Sequence, residues 1–379
     1  MSNKKCKLFK MSTKTNYLKS GTILLLLISF ISIGNGCSGN KEKEKYYTMD
    51  DFKVINKIDA HCHIFHNRPQ FMEQAQEDNF RILTICGGAE LDEQMEIAAS
   101  LQKEFPGRLA FLSGFSMENW EDDDWAQKTI AHLEETFNKG AIGLKVWKNI
   151  GMVEKDKDGN FIMIDNPKFD PVFSYLEEKG IPMCGHLGEP RNCWLPIEEM
   201  TVNNDKQYFR ENPEFHMYLH PEYPSYEDQI AARDRMLEKH PDLKFMGAHL
   251  ASLEWNIDLL AEHFERFPNA TADLAERVCH LQVQAKANPQ KVRDFIIKYQ
   301  DRIIYGTDRG DYGGLEEDKI KSRAHDAWIT DWKFFTTDET MTAWEVDGEF
   351  QGLKLPGDVI DKIYYKNAEK LFPEFLNMN

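Results

Sequence analysis

The chain has 379 residues, 63 acidic and 46 basic, for a formal net charge of −17. Its first 36 residues hold six lysines and no acid, so the remainder carries about −23. That field repels phosphate backbones and argues against nucleic acid as a partner, while the length allows one large domain with a substantial core.

Lys4, Lys5, Lys7, Lys10, Lys14 and Lys19 precede an apolar run from Thr22 to Ile33, then Gly34-Asn35-Gly36-Cys37. A basic segment, a short apolar run and a small-residue cleavage site make a secretory signal over residues 1–36. The apolar run is too short for a comfortable membrane span. The segment resembles a bacterial lipoprotein signal, which implies an exported protein anchored in the membrane by a lipid on Cys37. Residues 37–50 read as a flexible tether, and 51–379 as the folded domain. Replacing Cys37 with Ser is therefore expected to release the protein from the membrane fraction. Retention after detergent-free extraction would refute the anchor. The cysteines beyond the signal and anchor (Cys62, Cys86, Cys184, Cys193 and Cys279) are odd in number and lack CxxC spacing. They read as buried structural thiols rather than a disulfide framework.

Eight strand-like apolar segments follow in order: Val54–Asp59, Arg81–Cys86, Leu109–Gly114, Ile142–Trp147, Ile181–His186, Lys244–His249, Ala270–Leu274 and Ile303–Asp308. Helical periodicity lies between most of them. Ala126, Ile130, Leu133 and Phe137 make one such stripe, and Leu253, Ile257, Leu260, Phe264 and Phe267 another, behind Ser252 as N-cap. Strands alternating with amphipathic helices imply a parallel sheet, and eight units predict a closed (β/α)8 barrel. The competing open doubly wound sheet lacks support, because no GxGxxG follows the first strand.

Three connections are long enough to cover the barrel mouth. Lys148–Pro167 carries Asp158-Gly159-Asn160, which predicts a small hairpin. Leu187–Ser225 is rich in proline and aromatics, including Trp194, Tyr208, Phe209, Phe215, Tyr218 and Tyr223; each aromatic alone reads first as packing. Gly310–Pro356 holds a helix-like run with Trp328, Trp332 and Phe334.

In a barrel of this kind chemistry sits at the C-terminal ends of the strands. The first strand leads into Asp59-Ala60-His61-Cys62-His63, where alternation puts both imidazoles on one side, within reach of one metal. Strand four contains Lys145, strand five ends at His186, strand six at His249 and strand eight at Asp308. Four histidines and an aspartate lie at the ends of four strands, and four of them as ligands leave one position open for water, as catalytic metal sites do.

This order of His-x-His, lysine, His, His and Asp resembles the amidohydrolase superfamily, in its amidohydrolase-related branch that also holds nonoxidative decarboxylases. Gly143-Leu144-Lys145-Val146-Trp147-Lys148, Gly247-Ala248-His249 and Tyr305-Gly306-Thr307-Asp308 carry the resemblance, which spans roughly residues 51–372. It implies a divalent metal, usually zinc, with His61, His63 and Asp308 as ligands. It also implies a metal-bound water that attacks the substrate while Asp308 takes its proton. Two versions of the site remain open. In the preferred one, a single ion is held by His61, His63, His186 and Asp308, His249 polarises the substrate, and Lys145 binds a substrate anion or is structural. In the other, a carboxylated Lys145 bridges two ions, the second held by His186 and His249.

Arg191, Arg309 and Trp147 are candidate substrate contacts; for the two arginines, which suit a carboxylate, ion pairing within the protein is the alternative. His132, His240 and His263 read as solvated. His216, His220 and His325 lie near the mouth excursions. The expected activity is hydrolysis of a small organic molecule at an amide, lactone or ester-like carbonyl. Nonoxidative decarboxylation is the runner-up, and a ligand-binding surface lipoprotein without turnover is the alternative of another class.

Overall fold

The computed structural model describes residues 45–87 and 90–377; the leader, its cleavage site and Cys37 lie outside them. Among the described residues no helix is long and apolar enough to cross a membrane.

Eight parallel strands form the expected barrel. They are β1 (Lys57–Ile64), β2 (Phe80–Ile85), β3 (Leu109–Leu112), β4 (Leu144–Val146), β5 (Met183–Gly185), β6 (Phe245–Gly247), β7 (Ala270–Asp273) and β8 (Ile303–Ile304). β4 through β8 pair in sequence, as do β1, β2 and β3. A parallel bridge between Ser113 and Leu144 joins β3 to β4. The ring closes where Ala60 N donates to Tyr305 O (3.0 Å) and Asp308 N to His61 O (2.8 Å). A short strand β9 (Arg309–Asp311) then runs along β1. Gly310 is needed there, because a Cβ would stand 1.9 Å from the His63 carbonyl oxygen.

The first strand differs from its predicted range. Val54 is 72% exposed in a turn, whereas every residue of β1, including His61 and His63, is buried. The sequence pattern ends the strand at Asp59, but a barrel strand is covered on both sides and carries its functional side chains inside the sheet. Asp59 makes this possible. Its Oδ2 accepts from Thr307 Oγ1 (2.6 Å) and Trp328 Nε1 (2.8 Å), and its Oδ1 from Thr307 N (3.0 Å). One buried carboxylate thus ties β1 to the segment that presents Asp308.

The barrel interior is lined by Ile58, Ala60, Leu83, Ile85, Ala110, Leu112, Met246 and Ile304, packed with Ala368, Leu371 and Phe372 from the C-terminal helix. Arg81, near the start of β2, donates to Phe375 O (2.8 Å), so the chain's end closes the barrel opposite the histidines. The helical stripes face the sheet: Leu133 and Phe173 on one side, Ile257, Leu260 and Phe264 on another. Trp328 and Trp332 are fully buried on the long helix Glu317–Thr336, and Trp328 stacks on Phe80 at 4.4 Å.

The expected hairpin is present as an antiparallel bridge between Lys155 and Phe161, with Gly159 at φ +85°. The fold begins before residue 50: Tyr47 is buried and donates to Asp361 Oδ1 (2.8 Å), so the end of the expected tether packs on the barrel. The five cysteines beyond Cys37 are free and buried. Two histidines read as solvated are buried instead. His240 meets Glu177 Oε2 (2.9 Å) and His263 lies beside Arg233 and Phe267. Both sit at the ends of amphipathic helices, where an imidazole bridges core and rim.

Candidate active site

The ends of β1, β4, β5, β6, β7 and β8 deliver polar side chains to the barrel mouth. His61 Nε2, His63 Nε2 and Asp308 Oδ1 converge: the carboxylate oxygen is 3.6 Å from the first and 2.9 Å from the second. These three form a group with metal-ligand spacing. The imidazoles continue as a row, with ring centroids 5.3 Å apart for His63 and His61, 4.9 Å for His61 and His249, and 4.3 Å for His249 and His186. Lys145, fully buried, places Nζ 3.4 Å from His61 Nε2 and 3.6 Å from Cys184 Sγ.

Their outer nitrogens fix the tautomers. His63 Nδ1 faces Ile85 O (3.3 Å) and His249 Nδ1 faces Ala275 O (2.9 Å). A carbonyl only accepts, so each Nδ1 carries a hydrogen and each Nε2 is the nitrogen turned to the mouth. His61 Nδ1 lies 2.7 Å from Asp273 Oδ2, the carboxylate–histidine arrangement that raises ligand basicity. Burial holds His61 and His249 well below the usual histidine range and lowers His186 to about 4, keeping all three neutral. Burial raises the Asp308 carboxyl, but the hydrogen bond from His63 and then the neighbouring imidazole rings outweigh it and hold the group well below the usual carboxylate range.

His63 Nε2 stands 2.9 Å from the Asp308 oxygen, a contact that either a proton or a shared metal cation bridges. His186 Nε2 is a second sign: it is buried, stands 3.4 Å from Glu189 Oε2, and makes no well-formed hydrogen bond. The donor set therefore fits a divalent metal, with His61, His63 and Asp308 as the tight group and His186 two rings away. A second grouping, His61 with Cys184 and Asp273, offers spent donors. Burial pushes the Cys184 thiol up to about 12, and Asp273 is engaged in hydrogen bonds.

Sequence reasoning missed Asp273. It is fully buried at the end of β7, and besides His61 it accepts from His249 N (2.7 Å) and Ala275 N (3.2 Å), both on Oδ1. The backbone it holds is unusual: His249, Leu250, Ala251 and Ser252 have φ of 60°, 56°, 54° and 55°, a turn of left-handed helix without glycine. Each such residue costs roughly 1–2 kcal/mol. Asp273 offsets part of that, as do Tyr226 OH on Ser252 O (2.5 Å), Ser252 Oγ on Gly188 O (2.8 Å) and Arg233 on Ala251 O. The strand-end rule that found the histidines also covers Asp273, but the sequence places it inside the strand Ala270–Leu274 as a single acid with no partner in sight.

Around the row opens a cavity of about 500 Å³, lined by His186, His249 and Asp308 and by Lys148, Tyr208, Phe209, Arg277 and Tyr312. Tyr208 and Phe209, read as packing, thus reach the cavity from the helix Asn203–Glu211. Tyr312 OH donates to Asp308 O (2.8 Å), and its ring lies 5.5 Å from His63. Lys148 is ion-paired with the buried Glu189. The three candidate substrate contacts lie outside this lining. Trp147 packs 5.4 Å from His63 and against Gly87, where a Cβ would meet its Nε1 at 1.8 Å. Arg191 lies over the rings of Tyr226 (5.3 Å) and Trp255 (5.0 Å). Arg309 pairs with Glu276 (2.9 Å) and lines a separate cavity of about 460 Å³. His216 and His220 face the carbonyls of Leu195 (2.8 Å) and Pro213 (3.0 Å), and His325 faces Asp78 (2.7 Å).

Fold and site together define a (β/α)8-barrel enzyme with a metal-ligand cluster at the C-terminal ends of its strands. A family model described as Amidohydrolase matches residues 58–373, and the chain belongs to that family. No curated protein sequence matches the chain. Among solved structures it is similar to a 2,6-dihydroxybenzoate decarboxylase from Rhizobium at 13% identity and TM-score 0.50, over 84% of this chain and 99% of that one. It is also similar to an uncharacterised TIM-barrel protein from Bordetella bronchiseptica at 14% identity and TM-score 0.48, over 85% and 99%. A 4-oxalomesaconate hydratase from Rhodopseudomonas palustris matches at 12% identity and TM-score 0.45, over 85% and 96%.

Proposed function

We propose that the protein is a metal-dependent hydrolase of a small organic molecule, acting at an amide, lactone or ester-like carbonyl, exported and anchored through Cys37. The observation that carries the reading is the convergence of His61 Nε2, His63 Nε2 and Asp308 Oδ1 in a buried pocket that opens on the cavity. A divalent cation held there, zinc by expectation, supplies Lewis-acid polarisation of the carbonyl and lowers the pKa of water. Among the described residues no hydrogen bond reaches Asp308 Oδ2, so that oxygen accepts the proton of the attacking water and returns it to the leaving group. His249, with Nδ1–H given to Ala275, faces the site with an acceptor. It polarises a carbonyl only after taking a proton, so its first role is as base or ligand. Tyr208, Phe209 and Tyr312 supply flat walls for the rest of the substrate.

The test is a screen of zinc-loaded protein against lactones, amides and phenolic acids. Hydrolysis of a C–O or C–N bond, lost on chelation, is the expected result. Carbon dioxide release without hydrolysis would make the protein a decarboxylase, and tight binding without turnover of any class would make it a binder.

Metal number is tested separately. Under the single-ion reading the purified protein holds about one divalent ion, and Lys145→Ala leaves that content unchanged. Elemental analysis of both proteins, prepared with bicarbonate and excess zinc, decides. Two ions in the wild type falling to one or none in the variant would establish the lysine-bridged version instead.

A further inference from the structure

We propose that Arg277 is the anchor for a non-reacting carboxylate of the substrate, so that the molecule spans the cavity from the metal-ligand cluster to a guanidinium. The inference deepens the functional reading above and rests on it for the reacting end alone.

Arg277 follows Glu276, whose φ of +56° turns the chain after β7 and directs the next side chain into the cavity. Arg277 is buried, 7% exposed, yet its hydrogen bonding is nearly unused. Nη1 donates to Glu276 O (3.1 Å), and Nε, buried, has no acceptor. The nearest carboxylate oxygen, Asp205 Oδ1, is 4.0 Å away. Asp205 is itself committed to Asn192 Nδ2 (2.8 Å) and lies 3.4 Å from His280 Nε2. An arginine has five donors in a planar fork, and a buried one left this far from satisfied is costly unless a partner arrives. The fork matches a carboxylate through two parallel hydrogen bonds.

The other cations near the mouth are occupied. Lys148 is paired with Glu189, Arg309 with Glu276, and Arg191 is stacked on two aromatic rings with Glu227 at 3.4 Å. Arg277 lines the same cavity as His186, His249 and Asp308. The carboxylates of Asp205, Glu254 and Glu276 hold the guanidinium protonated without supplying close hydrogen bonds. With Tyr208, Phe209 and Tyr312 as walls, the cavity suits a flat acid: a reacting carbonyl at the cluster, an aromatic or conjugated body, and a carboxylate at Arg277.

The experiment measures binding rather than turnover, on zinc-loaded full-length protein in detergent. Calorimetry compares benzene-1,3- and 1,4-dicarboxylate with the corresponding monoamides, which keep one carboxylate and replace the other with a neutral isostere. Wild type is expected to prefer the better diacid over its monoamide by about 10- to 100-fold, the worth of one charge-assisted pair. Arg277→Gln should bring that ratio near one with zinc content unchanged, and Arg277→Lys should keep part of it. The absence of a diacid preference in wild type overturns the proposal, and so does an Arg277→Gln protein that retains zinc and the wild-type ratio. Should Arg277→Gln not fold, the wild-type ratio and the Lys variant decide by the same criteria. A diacid preference carried by Arg277 in a protein that hydrolyses nothing would overturn the hydrolase reading and leave this one standing.

Discussion

Asp308→Asn should lower kcat/KM by about 100- to 10,000-fold on a substrate found by the screen, the range for removing one general acid–base group. Two roles meet on this carboxylate: Oδ1 is one of the three converging ligand atoms, and Oδ2 is the proposed proton acceptor. An amide keeps the shape and one weak oxygen donor but loses the negative charge and the proton-accepting oxygen. Asparagine is also the substitution the backbone tolerates best. Asp308 has φ +61°, a region that asparagine and aspartate enter more readily than other side chains, and its N–H must still reach His61 O. Alanine there would mix chemical loss with strain. Rate measurement beside elemental analysis separates the two roles: loss of metal reports the ligand, loss of rate at full metal the proton transfer. A variant with near-normal rate would remove Asp308 from the mechanism.

What was legible in the sequence follows from which rules are local. The eight strands were legible because each is a short apolar run between helical stripes, and the histidines and Asp308 because barrel geometry gathers strand ends whatever their spacing. Less legible were the features that depend on contacts between distant segments. Asp59 looked like the end of a strand, although in the fold it ties β1 to Thr307 and Trp328. Arg191, on the loop after strand five, and Arg309, beside Asp308, suit a carboxylate by residue type and place in the chain, yet their side chains turn to aromatics and to Glu276, while Arg277 faces the cavity. The left-handed turn at His249–Ser252 was not legible at all. Leu250, Ala251 and Ser252 do not favour positive φ, and tertiary hydrogen bonds hold the turn there.

Asp273 is where these threads meet, and Asp273→Asn gives the sharpest test of the site's construction. The wild-type carboxylate accepts on Oδ1 from two backbone N–H groups and on Oδ2 from His61 Nδ1, so His61 presents a lone pair at Nε2. Burial pushes the Asp273 carboxyl up, and the His249 imidazole and these N–H groups oppose that. In the asparagine variant the amide oxygen can keep both backbone bonds, which leaves the amide NH2 facing Nδ1. Donor against donor is resolved by moving the imidazole hydrogen to Nε2, which takes the lone pair away from His63 and Asp308. Zinc affinity, read by competition with a chromophoric chelator, should then fall by about 10- to 100-fold. Thermal stability of the metal-free protein should change little. Nitrogen-15 spectra of histidine-labelled protein should show the hydrogen of His61 on Nε2, a readout that a merely structural role would not move. Asp273→Ala should behave differently. It also strips the left-handed turn of its buried acceptor, at roughly 1–3 kcal/mol of stability. Wild-type zinc affinity in the asparagine variant, with Nδ1–H retained on His61, would show that the ligand geometry is set by packing alone and that Asp273 serves only the backbone.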